Sequence, residues 1–256
     1  MKAKKYLGQH FLHQKSTAEK IVRLLSDVPE ADQIWEIGPG HGALTTHLVL
    51  TASKPITLIE TDQELIPELE LAFPQCRIIP ADFLRLDLDQ LAGNQRVQII
   101  GNFPYNISSQ IVFHILDHHE MVCEVVGMFQ KEMADRIASG PGTKSYGILS
   151  VLTQAFYQVR HCMNVSPGHF TPPPKVQSSV IRLTHREDID PVAREPLFRT
   201  LVKSAFNQRR KMLRNSLKAY YPDEVLQSES IFTKRPEQLT LQEFYSLTAA
   251  CLNFRQ

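Results

Sequence analysis

The sequence predicts an α/β fold: a mostly parallel sheet with helices on both faces, an antiparallel edge, and a small all-helical C-terminal domain. Three observations predict it. Short β-branched runs alternate with stretches of helical length over the first two-thirds of the chain, a glycine-rich turn follows the first run, and everything beyond Pro191 has helical character.

The elements follow in order. Residues 34–38, 56–60, 77–81, 97–101 and 122–129 are apolar or β-branched runs of strand length, and the intervals between them suit helices, as βαβ units require. A helix is expected over 130–139, a Gly-Pro-Gly turn at 140–142 and a second helix over 146–155. Strands are expected at 157–165 and 178–185, flanking a proline-rich loop at 170–174. Being close in sequence, they are expected to pair antiparallel at one edge of the sheet. The polar stretch 186–190 then marks a boundary, giving domains 1–187 and 188–256.

The chain has 256 residues, 43% of them hydrophobic, enough for a real core in one large domain or two. Its 28 Lys plus Arg and 27 Asp plus Glu leave a net charge of +1, which by itself points to no partner. The distribution is more informative. Residues 1–18 carry Lys2, Lys4, Lys5 and Lys15 with no acid, and residues 196–222 carry Arg199, Lys203, Arg209, Arg210, Lys211, Arg214 and Lys218 with no acid, so the rest of the chain is net acidic. Basic ends on an acidic body suit a polyanion, or are two solvated faces. Cys76, Cys123, Cys162 and Cys251 lie far apart with no C-x-x-C pair, the pattern of reduced thiols rather than a metal site or disulfide scaffold. No apolar run reaches the roughly 18 residues of a membrane span, and no signal-peptide pattern opens the chain. A cytoplasmic monomer with no membrane partner is expected, since no long apolar seam marks a dimer.

Trp35-Glu36-Ile37-Gly38-Pro39-Gly40-His41-Gly42 follows a predicted strand and opens a predicted helix, where an α/β sheet binds a nucleotide-like ligand. Gly38, Gly40 and Ala43 also satisfy a dinucleotide pattern, so the loop alone is ambiguous. The acids beyond it discriminate. Glu60 ends the second strand, placed for the hydroxyls of a ribose, and Asp82 follows the third, placed for the amine of an adenine. S-adenosylmethionine offers a ribose, an adenine and no phosphate, and its sulfonium cation suits a loop flanked by Glu36, Glu60 and Asp82 better than a pyrophosphate does. Three ordinary strand-end acids are the plainer alternative.

Gly101-Asn102-Phe103-Pro104-Tyr105 ends the fourth strand, beside the first and next to the topological switch point. An adenine N6 amine is a weak nucleophile because its lone pair is delocalised into the ring. Two acceptors for its protons, the Asn102 amide oxygen and the Phe103 carbonyl, would leave a more tetrahedral and reactive nitrogen. Pro104 fixes the backbone, and Tyr105 can stack on the base. A sulfonium methyl is already activated, so positioning and electrostatics suffice without a metal. The Phe170-to-Val176 arm, with three prolines, is stiff enough to hold Phe170 as a stacking platform for an extruded base, or else Phe170 is tucked into the core. Were 196–220 one helix, Arg199, Lys203, Asn207, Arg210, Arg214 and Lys218 would share an arc of roughly 100°, a stripe suited to a phosphate backbone. A helix pair broken near 207–210 is the alternative.

Together these motifs resemble those of the small-subunit (16S) ribosomal RNA adenine N6,N6-dimethyltransferases. The likeness rests on Tyr6-Leu7-Gly8-Gln9-His10-Phe11-Leu12, on Glu36 to Gly40, on Gly101 to Ser108, on the Phe170-to-Val176 arm followed by Ser178-Ser179-Val180, and on Ala205-Phe206-Asn207-Gln208-Arg209-Arg210-Lys211. It implies a Rossmann-like class I S-adenosylmethionine-dependent methyltransferase domain with a small helical domain. It also implies dimethylation of two adjacent adenosines near the 3′ end of small-subunit rRNA, late in assembly of the precursor 30S particle. By the same resemblance the cofactor would be bound by His10, Leu12, Gly38, Glu60, Asp82 and Asn102, to which the glycine loop itself adds Glu36 and Gly40. Asn102, Pro104 and Tyr105 would handle the target amine and Phe170 would stack on the base. RNA contacts would fall to Arg199, Lys203, Arg209, Arg210, Lys211 and Arg214. His10 stands where that family commonly has Asn, and Phe103 where it often has Leu. The rival readings are a large-subunit rRNA adenine methyltransferase conferring antibiotic resistance, an RNA-binding assembly checkpoint with methylation secondary, and a dehydrogenase.

Overall fold

The computed structural model describes residues 4–254, so Lys2 lies outside them. The chain folds as two compact units, one of residues 4–134 with Gln158–His185 and the other of Asp135–Tyr157 with residues 186–254. This differs from the single cut expected after residue 187. The difference lies in residues 135–157, whose apolar helix supplies part of the helical unit's core rather than covering the sheet.

The first unit contains β1 (Phe11–Leu12), α1 (Lys15–Val22), β2 (Gln33–Ile37), α2 (Thr45–Thr51), β3 (Ile56–Glu60), α3 (Ile66–Ala72), β4 (Arg77–Pro80), α4 (Leu88–Ala92), β5 (Val97–Asn102), α5 (Ser108–Asp117) and β6 (Val122–Gln130). After α6 (Lys131–Ala138), which spans the division, and α7 (Ile148–Phe156) of the second unit come β7 (Tyr157–Val165), β8 (Phe170–Thr171) and β9 (Ser178–His185). Seven strands form one sheet in the order β4-β3-β2-β5-β6-β9-β7. Neighbours from β4 to β6 are parallel, and β9 runs antiparallel to β6. The strand order reverses at β2, so the carboxyl ends of β2 and β5 open a crevice between them.

Burial explains the pattern. Every residue of β2 and β3 is buried, as in a sheet covered on both faces, and neither strand shows the alternation of a half-exposed one. On one face Ile21, Val22 and Leu48 of α1 and α2 share a cluster with Ile34, Leu58, Ile100 and Val126. The strands expected at 157–165 and 178–185 are neighbours in the sheet. The later one, β9, is the more buried and lies inside, while β7 exposes Gln158, Arg160 and His161 at the edge. A pairing that the sequence does not announce joins β1 to β8 antiparallel, with Leu12 opposite Phe170 and Phe11 opposite Thr171.

The second unit holds α7, α8 (Pro196–Asn207), α9 (Leu213–Ser216), α10 (Asp223–Ser228) and α11 (Leu241–Asn253). Seven of the nine residues of α7 are buried. The α8 face made by Leu197, Phe198, Leu201, Val202, Ala205 and Phe206 is buried as well, with Phe206 edge-on to Tyr146 and stacked on Phe244. The basic stretch is not one helix. Leu217 lies five turns after Arg199 at about 3.6 residues per turn, so a continuous helix would set it among the basic side chains. The break after Asn207 lets Leu213 and Leu217 be buried instead. Among the described residues no helix is long and apolar enough to cross a membrane.

Candidate active site

The crevice at the carboxyl ends of β2 and β5 is a cleft lined by residues of the first unit alone, among them His10, Leu12, Glu36, Gly38, Gly40, Glu60, Asp82, Asn102, Pro104 and Tyr105. The glycine loop turns sharply after β2. Gly38 and Gly40 have φ of +66° and +59°, and a Cβ on Gly40 would meet the Phe11 ring at 3.0 Å. Both positions need the left-handed backbone that glycine adopts freely.

Three acids stand around this loop. Glu36, 1% exposed, accepts a hydrogen bond from Thr45 Oγ1 at 2.7 Å. Burial pushes its carboxyl from the usual 4.5 up to about 8 against the pull of that hydroxyl. Glu60 Oε2 accepts from the Gly40 N–H at 3.0 Å and Oε1 from the Asp62 N–H at 2.8 Å. Burial raises it too, against those two amides. Asp82 caps a 3-10 turn by accepting from the Leu84 N–H at 3.0 Å, and it lines the cleft beyond β4.

The transfer loop is held from several sides. The Phe103 N–H donates to the Met128 carbonyl at 3.1 Å, and the buried Phe103 ring meets Phe129 edge-on. The Pro104 carbonyl accepts from Ser108 Oγ and the Ile107 N–H, turning the chain into α5. Asn102 Nδ2 donates to the His10 carbonyl at 2.8 Å, and Asn102 Oδ1 is buried with no hydrogen-bond partner. The Tyr105 hydroxyl pairs with Ser178 Oγ at 2.6 Å, and burial raises its pKa against that contact.

The N-terminal motif and the proline arm meet here. His10 stacks on Tyr105 with ring centroids 5.4 Å apart, so one face of the ring expected to receive a base is already covered. His10 Nδ1 lies 2.7 Å from the Pro172 carbonyl, which can only accept, so the proton sits on Nδ1. Leu12 is buried and lines the cleft. Phe170 departs from the stacking role. It is 2% exposed, sits in the cluster with Leu12, Met128, Val165 and Val180, and does not line the cleft. The pairing of β8 with β1 draws its ring into the core.

The cleft suits the cofactor expected from the sequence. Its lining includes the carboxyl groups of Glu36, Glu60 and Asp82 and, among the described residues, no Lys or Arg, a set of acceptors that suits a ligand carrying hydroxyls and an amine better than a pyrophosphate. The unpartnered Asn102 Oδ1 adds an acceptor waiting for a donor.

The six basic positions lie in the second unit. Arg199 and Lys203 share one face of α8, with Arg199 half-buried and its pKa lowered by burial. Arg210 and Lys211 are exposed in the turn after α8, and Arg209 donates to the Thr143 carbonyl at 3.2 Å. Arg214, on α9, contacts Met212 Sδ. The break divides them, so no single stripe exists. At the other end of the chain, Lys4 does not stand ready for a polyanion. Its ammonium instead meets Asp62 Oδ1 at 2.6 Å and Glu64 Oε1 at 2.9 Å.

Sequence reasoning missed Asp62, Thr45 and Ser178. Asp62 follows Glu60 by two residues, a spacing that marks only a turn, and the hydroxyl contacts of Thr45 and Ser178 are long-range or depend on the loop geometry.

The sequence pattern of the family described as ribosomal RNA adenine dimethylase matches residues 1–251. The chain belongs to the ribosomal RNA adenine dimethylase family. Among relatives of this dimethylase, Ribosomal RNA small subunit methyltransferase A of Flavobacterium johnsoniae is 49% identical over 252 residues, covering 97% of this chain and 95% of that protein. The protein of the same name from Phocaeicola vulgatus is 46% identical over 251 residues, covering 97% and 89%. The dimethylase also superimposes on a dimethyladenosine transferase from Plasmodium falciparum, with a TM-score of 0.80 and 24% identity over 96% of this chain and 98% of that one. For the 23S rRNA methyltransferase ErmE the values are 0.70, 22%, 93% and 99%. At those identities the two structures share the dimethylase's fold, a Rossmann-like methyltransferase sheet.

Proposed function

We propose that this rRNA adenine dimethyltransferase places two methyl groups on N6 of each of two adjacent adenosines near the 3′ end of small-subunit ribosomal RNA. We infer that its donor is S-adenosylmethionine, and that it acts as a cytoplasmic monomer on the precursor 30S particle, late in ribosome biogenesis. The observation that carries this reading is the Asn102 carboxamide, pinned through Nδ2 to the His10 carbonyl with a buried, unpartnered Oδ1 in a residue lining the cleft.

S-adenosylmethionine would supply an activated methyl group on a sulfonium. Glu60 would accept from its ribose hydroxyls, Asp82 would face its adenine, and Gly38 and Gly40 would let the loop approach it. His10 and Leu12 would close the cleft. On the substrate side, Asn102 Oδ1 and the Phe103 carbonyl would accept the two N6 protons, drawing the nitrogen lone pair out of conjugation. Pro104 holds that backbone in place, and Tyr105, backed by His10, would stack on the base through its remaining face. Phe170 supports this site by packing behind Leu12. The work is positioning and electrostatics. Arg199, Lys203, Arg209, Arg210, Lys211 and Arg214 would meet RNA phosphates. The 45–49% identity to small-subunit methyltransferases favours small-subunit over large-subunit RNA.

The test is incubation of the purified protein with methyl-labelled S-adenosylmethionine and under-methylated small subunits, with large subunits alongside. RNA digests are then searched for N6,N6-dimethyladenosine by mass spectrometry. Dimethyladenosine from small subunits alone is the expected result. Label on large-subunit RNA would overturn the substrate, and no product on either subunit would overturn the activity.

A further inference from the structure

The N-terminal segment that walls the cleft is tied down at a point the transfer chemistry does not use. Asp62 is 3% exposed. Its Oδ1 accepts from Lys4 Nζ at 2.6 Å and from the Glu64 N–H at 3.1 Å, and its Oδ2 accepts from Gln9 Nε2 at 2.8 Å. Gln9 Oε1 in turn accepts the Lys4 backbone N–H at 2.8 Å, closing a ring of three residues. Burial acts to raise the Asp62 pKa, but Lys4, Gln9 and the Glu64 amide outweigh it and hold the carboxyl below its usual value.

This ring is continuous with the cleft. The Asp62 N–H donates to Glu60 Oε1 at 2.8 Å, and Glu60 Oε2 takes the Gly40 N–H at 3.0 Å. One network therefore runs from Lys4 through Asp62 and Glu60 to the glycine loop. Beyond the clasp, Leu7, Gly8, Gln9, His10, Phe11 and Leu12 form a wall of the cleft. A pair sheltered as this one is, with Lys4 at 21% and Asp62 at 3%, is screened less than a surface pair.

We propose that Asp62 is a positioning residue that clasps residues 4–12 across the cofactor cleft and so sets how fast a bound cofactor leaves. The proposal rests on the reading of that cleft as the S-adenosylmethionine site. The clasp touches no reacting atom; it acts through the wall it holds.

The experiment uses the full chain as Asp62→Asn, Lys4→Met and the double variant. It measures stopped-flow release of S-adenosylhomocysteine and, without ligand, hydrogen exchange over residues 7–12. Asp62→Asn is expected to speed both about tenfold, as loss of one partner of a sheltered charge pair acts on the off-rate. Lys4→Met moves both the same way, and the double variant falls short of the product of the two single effects, because both changes break the Lys4–Asp62 pair while only Lys4→Met also removes the contact with Glu64. Lys4 is only partly buried, so Lys4→Met keeps the test valid if Asp62→Asn folds poorly. Exchange that is unchanged in both variants would overturn the clasp, and faster exchange with release within twofold of the wild type would overturn its control of the cleft. A wild-type chain that takes up no S-adenosylhomocysteine would instead overturn the cofactor reading, and the proposal with it.

Discussion

The side chain of Asn102 hangs from the backbone of His10: Nδ2 donates to the His10 carbonyl at 2.8 Å, which leaves Oδ1 buried without a partner. A buried unsatisfied acceptor costs about 1–3 kcal/mol, and such groups persist where a ligand completes them. Asn102→Ala is therefore expected to lower dimethyladenosine formation about 10²-fold or more while leaving the melting temperature near wild type. An assembly factor with incidental methylation would behave differently. Cells carrying Asn102→Ala would then keep normal subunit maturation, whereas loss of both product and phenotype marks the enzyme.

Tyr105 is oriented by two contacts of different kinds, the His10 ring on one face and the Ser178 hydroxyl at its tip. Tyr105→Phe keeps the ring and loses the hydroxyl's hydrogen bond, worth about 0.5–1.5 kcal/mol, so kcat/KM on under-methylated subunits should fall about tenfold at most. Ser178→Ala should match it, and the double variant should be no worse than either. Tyr105→Ala removes the stacking surface and should cost far more. A double variant whose losses multiply would show that the two hydroxyls act separately.

Glu36 gives a pH signature. Its folded pKa is raised to about 8, above the 4.5 of an ordinary glutamate, so the folded state holds a proton that the unfolded state releases between those values. This contribution to stability is full below about pH 4.5 and is lost as pH rises through 8. Glutamine mimics the protonated form and can still accept from Thr45. Glu36→Gln should match wild type near pH 5 and melt progressively higher than wild type between pH 6 and 9, by an amount equivalent to a few kcal/mol. A difference in melting temperature that stays flat across that range would mean Glu36 ionises normally in the fold.

What could be read from sequence followed from local chemistry. The runs at β2, β3 and β6 are mostly apolar or β-branched with no regular polar alternation, and such runs fit a strand covered on both faces. Glu60 and Asp82 announce themselves by standing at strand ends after a glycine loop, and both line the cleft. Long-range pairings left no such trace. Phe11-Leu12 and Phe170-Thr171 are two residues each, too short to show any period, yet their pairing decides that Phe170 is buried. Lys4 reads as a free cation until Asp62 and Glu64 are brought beside it. The end of α8 is legible only as one of two alternatives, because the deciding residue, Leu217, must be known to be buried.

The basic residues after α8 test the RNA-facing reading. Arg210 and Lys211 are exposed in a turn and Arg209 leans on the Thr143 carbonyl, so none carries core packing. Arg209→Glu with Arg210→Glu should weaken binding to small-subunit RNA and reduce the slope of log K against log salt by about 1.4, at roughly 0.7 for each phosphate that is no longer neutralised. S-adenosylhomocysteine binding should stay unchanged. An unaltered salt slope would return this turn to an ordinary solvated surface.

Phe170 separates two roles that sequence left open. Its ring is 2% exposed among Leu12, Met128, Val165 and Val180, so Phe170→Ala empties a core site and should cost about 3–5 kcal/mol of stability, read as a lower denaturant midpoint. Phe170→Leu keeps most of the volume and all of the apolar character. If the ring is core, this variant should lose less than about 2 kcal/mol and retain methylation within tenfold. If the ring must swing out to stack on a base, leucine keeps the fold but forfeits the aromatic face, and methylation falls far more than stability does. The burial in this structure predicts the first pattern, and a stable Phe170→Leu enzyme with methylation down about 10²-fold would establish the second.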